Sequence, residues 1–197
     1  MKPWKTLARD GALVLQERDG EHVLRSGGVE LMSSRRHRSE AAMAAHAAGA
    51  KRVLVGGLGL GFTLRAVLEA APEARVVVAE LSNAVVEWNR TLLHTASLDD
   101  ARVTVHLGDV AEAEGRFDCI LLDVDNGPAA LSDPGNAKLY APKGIARFKA
   151  MLKPRGVLVV WSAGPSRQFL QALGRAGFEA SEQPSGAHTL FVARLRS

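Results

Sequence analysis

From residue 52 onward, short apolar runs alternate with longer stretches in which apolar residues recur at helical spacing. Runs at 52–56, 75–80, 102–106, 117–123 and 156–161 read as strands, and the stretches at 62–70, 83–93, 142–152 and 166–176 read as helices. Apolar strands alternating with helical stretches specify a parallel sheet with covering helices. Two later runs, 179–183 and 188–195, are joined by Pro184-Ser185-Gly186. So short a connection suits an antiparallel hairpin rather than another crossover, so the sheet ends differently from a simple nicotinamide-binding fold. Upstream, β-prone runs at 13–16, 22–25 and 29–32 are separated by Asp19-Gly20 and Gly27-Gly28. Asp-Gly tolerates positive φ at both positions, so this segment predicts a small antiparallel flap. The alanine-rich stretch 39–48 predicts a helix capped by Ser39 and ending near Gly49. The expected fold is α/β and Rossmann-like, a mostly parallel seven-stranded sheet with an antiparallel C-terminal strand. Residues 1–38 form the flap and 39–197 the main domain.

A length of 197 residues suits one domain with a sizeable core. With 47% hydrophobic and 23% charged residues, the disordered, collagen-like and low-complexity classes are excluded. The net charge of +4 permits an anionic substrate without requiring nucleic acid. Cys119 is the single cysteine, which excludes an internal disulfide framework or a multi-thiolate zinc site and is consistent with a reducing compartment. Met1-Lys2-Pro3-Trp4-Lys5 contains no hydrophobic signal core. No apolar run approaches the roughly 18 residues of a membrane span. The expectation is a cytoplasmic protein without a membrane partner.

The strongest local signal for chemistry is Val53-Leu54-Val55-Gly56-Gly57-Leu58-Gly59-Leu60-Gly61, a strand entering a glycine-rich turn before a helix. Glycines allow close backbone approach, and the helix N-terminus presents free N–H groups. Gly57, Gly59 and Gly61 are spaced G-x-G-x-G, and Glu80, followed by Leu81, ends the next strand about 20 residues on, where a carboxylate can accept both ribose hydroxyls. The pair reads as an adenosine-type site, or as a structural turn with a solvated acid. Asp109, followed by Val110, and Asp123 end two further strands. Carboxyl ends of neighbouring strands meet at the ligand crevice of an open α/β sheet, so three carboxylates face one site. Asp109 either accepts from an adenine amine or caps the next turn, and Asp123 lies nearer the reacting part of the ligand. Trp161 either lines an acceptor pocket or packs in the core. Arg35-Arg36-His37-Arg38 reads as a solvated loop or an anion-attracting run, Cys119 reads as core, and the histidines show no metal-ligand spacing.

Across about 27–173 these motifs resemble the spermidine synthase-like, polyamine aminopropyltransferase branch of the class I S-adenosylmethionine (SAM) methyltransferase fold. The family's glycine-rich segment corresponds to 56–61, its ribose-binding acid to Glu80, and its Gly-Asp adenine contact to Gly108-Asp109. Its catalytic loop corresponds to Asp123-Val124-Asp125-Asn126-Gly127-Pro128, and Leu139-Tyr140 and 152–160 continue the likeness. The resemblance implies a transferase that uses SAM or decarboxylated SAM as donor, with no metal. Gly57, Gly59, Gly61, Glu80, Leu81, Asp109 and Val110 would hold the nucleoside, and Asp123 would be the base or amine-orienting group. Asp125, Asn126, Tyr140 and Trp161 would contact a small-molecule acceptor, an amine, and the family allows a homodimer. Leu60 stands where the family places an acid that attracts the amine of decarboxylated SAM, which predicts relaxed donor selectivity if the side chain reaches the ligand; the other reading is that it packs under the first helix. The catalytic loop lacks the Asp-Ser-x-Asp-Pro order, and the flap is abbreviated. Aminopropyl transfer leads, methyl transfer from intact SAM is the alternative, and a non-catalytic nucleoside-binding or RNA-associated module is the further one.

Overall fold

The computed structural model describes residues 2–35, 38–124, 127–128 and 136–195. Strands β1 (Lys5–Asp10), β2 (Leu13–Arg18), β3 (Glu21–Ser26) and β4 (Val29–Ser33) form an antiparallel meander. Asp19 and Gly20 have φ of 51° and 79°, and Gly27 and Gly28 have 57° and 85°. Such paired positive values are the turn geometry that matches the twist of a two-residue hairpin. Strand β1 is absent from the sequence reading for a physical reason. Only Leu7 and Ala8 are even partly buried, and the register breaks between Thr6 and Ala8, so no alternation marks it. Leu15 and Leu24 of the flap pack into one apolar cluster with Met43, Leu58 and Leu64, which seats the flap on the main sheet.

That sheet contains β5 (Arg52–Gly56), β6 (Arg75–Glu80), β7 (Val103–Leu107), β8 (Phe117–Leu122), β9 (Leu152–Ser162), β10 (Phe178–Ser185) and β11 (His188–Leu195). Their order is β10-β11-β9-β8-β5-β6-β7, and β11 runs antiparallel to both of its neighbours. The chain lays β6 and β7 outward from one side of β5, then crosses to lay β8 and β9 on the other. A reversal of this kind opens a crevice beyond the carboxyl ends of β5 and β8.

Helices α1 (Arg38–Ala44), α2 (Phe62–Ala70), α3 (Asn83–Thr91), α4 (Ala137–Tyr140), α5 (Pro142–Met151) and α6 (Arg167–Arg175) accompany the sheet. Strand alternation supplies two cores, with Val53, Val55, Cys119 and Leu121 on one side and Leu54, Ile120 and Leu122 on the other. Burial pushes the Cys119 thiol up to about 12, so this residue is core and not a nucleophile. The expected helix over 39–48 is instead α1 followed by a 3-10 turn at Ala45–Ala47. Ser39 lies inside the first turn of α1 rather than capping it, and its hydroxyl donates to Glu40 Oε2 at 2.8 Å. Strand β9 begins before its expected start because a register irregularity opposite Phe117 and Cys119 absorbs Pro154 and the positive φ of Arg155. No helix among the described residues is long and apolar enough to cross a membrane.

Candidate active site

The glycine-rich turn leaves β5 at Gly56 and is pinned from three directions. Gly57 N–H donates to Ala79 O at 2.8 Å, and Asp123 N–H donates to Gly56 O at 2.8 Å. Asn89 Nδ2 donates to Gly59 O at 2.8 Å, while Thr95 Oγ1 donates to Asn89 Oδ1 at 2.7 Å. Asn89 is buried and escaped the sequence reading because a lone polar residue within a helical stretch carries no motif. Glu80 holds the same turn: its Oε2 accepts from Leu58 N–H and its Oε1 from Ser82 N–H, each at 2.9 Å. Each carboxylate oxygen has a second lone pair free for a ligand hydroxyl.

Asp109 both caps and faces the crevice, so its two readings are not exclusive. Its Oδ1 accepts from Ala111 N–H at 2.9 Å, and its Oδ2 meets Lys138 Nζ at 2.7 Å. Burial works against its ionised form, but the Lys138 ammonium, the Ala111 N–H and the charge of His106 together hold the carboxyl below its usual range. Asp123 behaves in the opposite way. Its Oδ2 accepts from Thr63 Oγ1 at 2.6 Å, yet burial pushes the carboxyl up to about 7, and the Glu40 carboxylate adds to the rise. The acids that follow β7 and β8 therefore differ in proton affinity.

These groups meet in a cavity of about 460 Å³ lined by Gly57, Gly59, Glu80, Leu81, Asp109, Val110, Asp123 and Trp161 among others. Trp161 sets its ring against that of His188, 4.7 Å between centroids. The flap and α1 add Met32, Glu30, Ser39 and Glu40, from a stretch that only loosely matches the family's pocket-closing segment and in which no motif singles out a residue, because none sits at a strand end of the main sheet. Two expected residues lie elsewhere. Gly61, with φ of 80°, turns the chain into α2 and lines a smaller cavity on the other side of the turn. Tyr140 is buried away from the cavity, where its hydroxyl donates to Val124 O at 2.9 Å and its ring meets Phe169 edge-on. It braces the backbone next to Asp123. Asp125 and Asn126, expected to contact the acceptor, lie outside the described residues, as do Arg36 and His37 of the basic run. Arg35 of that run pairs with Glu21 at 2.9 Å.

Leu60 does not reach the main cavity. It is buried in the core cluster with Leu58 and Leu64, and its N–H points at Met32 Sδ, 3.2 Å away. The expectation that this leucine relaxes donor selectivity loses its footing, because the side chain points away from the nucleoside crevice. Leu60→Asp will therefore lower stability by about 2–3 kcal/mol, the cost of placing a carboxylate in an apolar site, without changing which donor binds. Thermal melting read beside donor affinity checks this outcome.

The family model of the spermine/spermidine synthase domain matches residues 36–170. Polyamine aminopropyltransferase 1 of Hyperthermus butylicus is 32% identical over 180 residues, covering 85% of this chain and 56% of that protein. A polyamine aminopropyltransferase of a Thermoanaerobacter species is 40% identical over 123 residues, covering 58% of this chain and 42% of the relative. The chain thus spans about half the length of these curated relatives. Among solved structures, spermidine synthase from Thermotoga maritima superposes with a TM-score of 0.72 at 21% identity, covering 92% of this chain and 68% of that one. A spermidine synthase in complex with the transition-state analogue AdoDATO gives 0.71 at 22% identity, covering 92% and 69%. An O-methyltransferase family protein from Burkholderia thailandensis gives 0.63 at 18% identity, covering 82% and 55%. These structural likenesses establish the methyltransferase-type fold.

Proposed function

Because the chain belongs to the spermine/spermidine synthase domain family, we propose that it transfers an aminopropyl group from decarboxylated SAM to a primary amine of a small polyamine-type acceptor. The observation that carries this reading is the charge of the cavity wall. Glu30, Glu40, Glu80, Asp109 and Asp123 line it; Glu30 is paired with Arg25 and Asp109 with Lys138, which leaves Glu40, Glu80 and Asp123 with no ion pair among the described residues. Such a wall favours a cationic occupant. Decarboxylated SAM brings a sulfonium and an ammonium, whereas intact SAM would also bring a carboxylate into the acidic surface.

In this reading Gly57 and Gly59 let the nucleoside approach the backbone, Glu80 accepts from the ribose hydroxyls, and Leu81 and Val110 flank the adenine. Asp109 accepts from the adenine amine through Oδ2, sharing that oxygen with Lys138. Trp161 forms the acceptor wall. The acceptor nitrogen attacks the propyl carbon bonded to sulfur, so that an N–C bond forms as the C–S bond breaks. The electron pair of the broken bond returns to sulfur, leaving neutral methylthioadenosine, while the Asp123 carboxylate has taken one proton from the incoming ammonium to free the attacking lone pair. Holding the two reactants in line supplies much of the rate enhancement.

The test is product analysis by mass spectrometry, with decarboxylated SAM and intact SAM offered separately against a panel of diamines. The expected result is an amine lengthened by one aminopropyl unit together with methylthioadenosine, from the decarboxylated donor. Methylated products from intact SAM would overturn it in favour of methyl transfer, and nucleoside binding without any product would favour a binding module. Glu80→Ala will weaken nucleoside binding by about 1–3 kcal/mol, since it removes the ribose acceptor and frees the Leu58 and Ser82 N–H groups. Unchanged affinity by calorimetry would remove Glu80 from the site.

A further inference from the structure

The cavity that Asp123 lines holds a second carboxylate that the strand-end pattern does not include. Glu40, on α1, is only 5% exposed, yet it lines the same cavity. Each of the two acids has one oxygen held by a hydroxyl: Glu40 Oε2 by Ser39 at 2.8 Å and Asp123 Oδ2 by Thr63 at 2.6 Å. Among the described residues no lysine, arginine or histidine forms an ion pair with either. The buried Glu40 carboxylate opposes the ionisation of the half-buried Asp123, and a cation between them removes that cost. The pair is thus incomplete without a positive ligand.

Resting on the aminopropyl-transfer reading, we propose that Glu40 and Asp123 together clasp the reacting nitrogen of the acceptor, and that Glu40 makes the site take an amine and reject an alcohol of the same shape. The chemistry gives Glu40 a role in the transition state as well as in binding. During transfer the positive charge leaves sulfur and appears on nitrogen, so a fixed carboxylate beside nitrogen is stabilised more as the C–S bond breaks. The acceptor nitrogen arrives as an ammonium and gives one proton to Asp123, which frees the lone pair that attacks. Of the other titratable groups of the wall, Glu30 pairs with Arg25, Asp109 with Lys138 and Glu80 holds the glycine turn, while His188 packs against Trp161 with its buried Nδ1 lacking a hydrogen-bond partner.

The experiment titrates 1,4-diaminobutane by calorimetry into the wild-type protein, E40Q and E40D, each with methylthioadenosine bound. Diamine affinity is expected to fall at least about tenfold in E40Q and to stay within about threefold in E40D. In turnover, the acid limb of the pH–rate profile should move to lower pH in E40Q, because loss of the Glu40 charge removes one cause of the raised Asp123 pKa. A purely structural Glu40 would move that limb too, through its charge, but would not lower diamine affinity in E40Q and restore it in E40D. Wild-type diamine affinity in E40Q would overturn the role of Glu40 and leave aminopropyl transfer standing. Failure of the wild-type protein to bind the diamine at all would overturn both. Should E40Q fail to fold, the wild-type protein alone decides: titrated near pH 6 in two buffers of different ionisation enthalpy, diamine binding must release protons. No proton release would overturn the clasp.

Discussion

Asp123→Asn will lower the rate of aminopropyl transfer by about 10²–10⁴-fold, the usual worth of a positioned proton acceptor. Asparagine keeps the shape and can still accept from Thr63 Oγ1, now 2.6 Å from the carboxylate. It cannot take the proton that the acceptor nitrogen must shed. The loss should therefore fall on kcat more than on nucleoside affinity, with Glu80 and Asp109 left in place. A correctly folded Asn variant that turns over at the wild-type rate would remove Asp123 from the reaction.

The direction of the Asp123 shift adds a pH signature. Its carboxyl is raised from 3.8 to about 7, so transfer by the wild-type protein should climb as pH rises through about 7 and level off above it. The stability consequence has the opposite sign to that of a salt-bridged acid. Between those two values the folded protein holds a proton that the unfolded chain has released, so this residue's contribution to stability declines as pH rises through that window. Asparagine removes the decline, and the variant should melt no lower than wild type at pH 8.

The strand-end acids were legible because a parallel α/β sheet leaves few places for a site, and β5, β6 and β8 end where the apolar runs end. Asp-Gly and Gly-Gly marked the flap hairpins, since positive φ at adjacent positions has few other uses. What escaped is what tertiary packing decides. Glu40 sits one residue after a serine in an alanine-rich helix, and nothing local says that α1 brings it to the mouth of β8. Leu60 and Tyr140 show the same limit from the other side. Position in a motif places a residue beside the site, but the turn of one backbone dihedral decides whether its side chain enters the cavity or the core.

Gly57→Ala will cost about 2–5 kcal/mol of stability and leave the surviving folded protein with little affinity for nucleoside. Two independent costs combine at this position. Its φ of 89° lies in the region that L side chains avoid, at about 1–2 kcal/mol. A Cβ there would overlap the Asp123 carbonyl oxygen and lie 3.0 Å from its carbonyl carbon, and these atoms are backbone that cannot swing aside. Overpacking of this kind adds about 1–3 kcal/mol. Relief requires either that the glycine turn lift, breaking the Gly57–Ala79 and Leu58–Glu80 hydrogen bonds, or that the end of β8 retreat and carry Asp123 with it. Either movement misplaces a group the reaction needs, and a shift of about 1 Å is worth roughly 10²-fold in rate. Gly174→Ala in α6 provides the contrast, because a Cβ there meets nothing within 4 Å. That substitution should raise stability by about 0.4–1 kcal/mol and leave turnover unchanged. Melting temperature and nucleoside titration on both variants decide the matter: if Gly57→Ala melts and binds like Gly174→Ala, the close approach of the glycine turn to Asp123 is not what holds this site together.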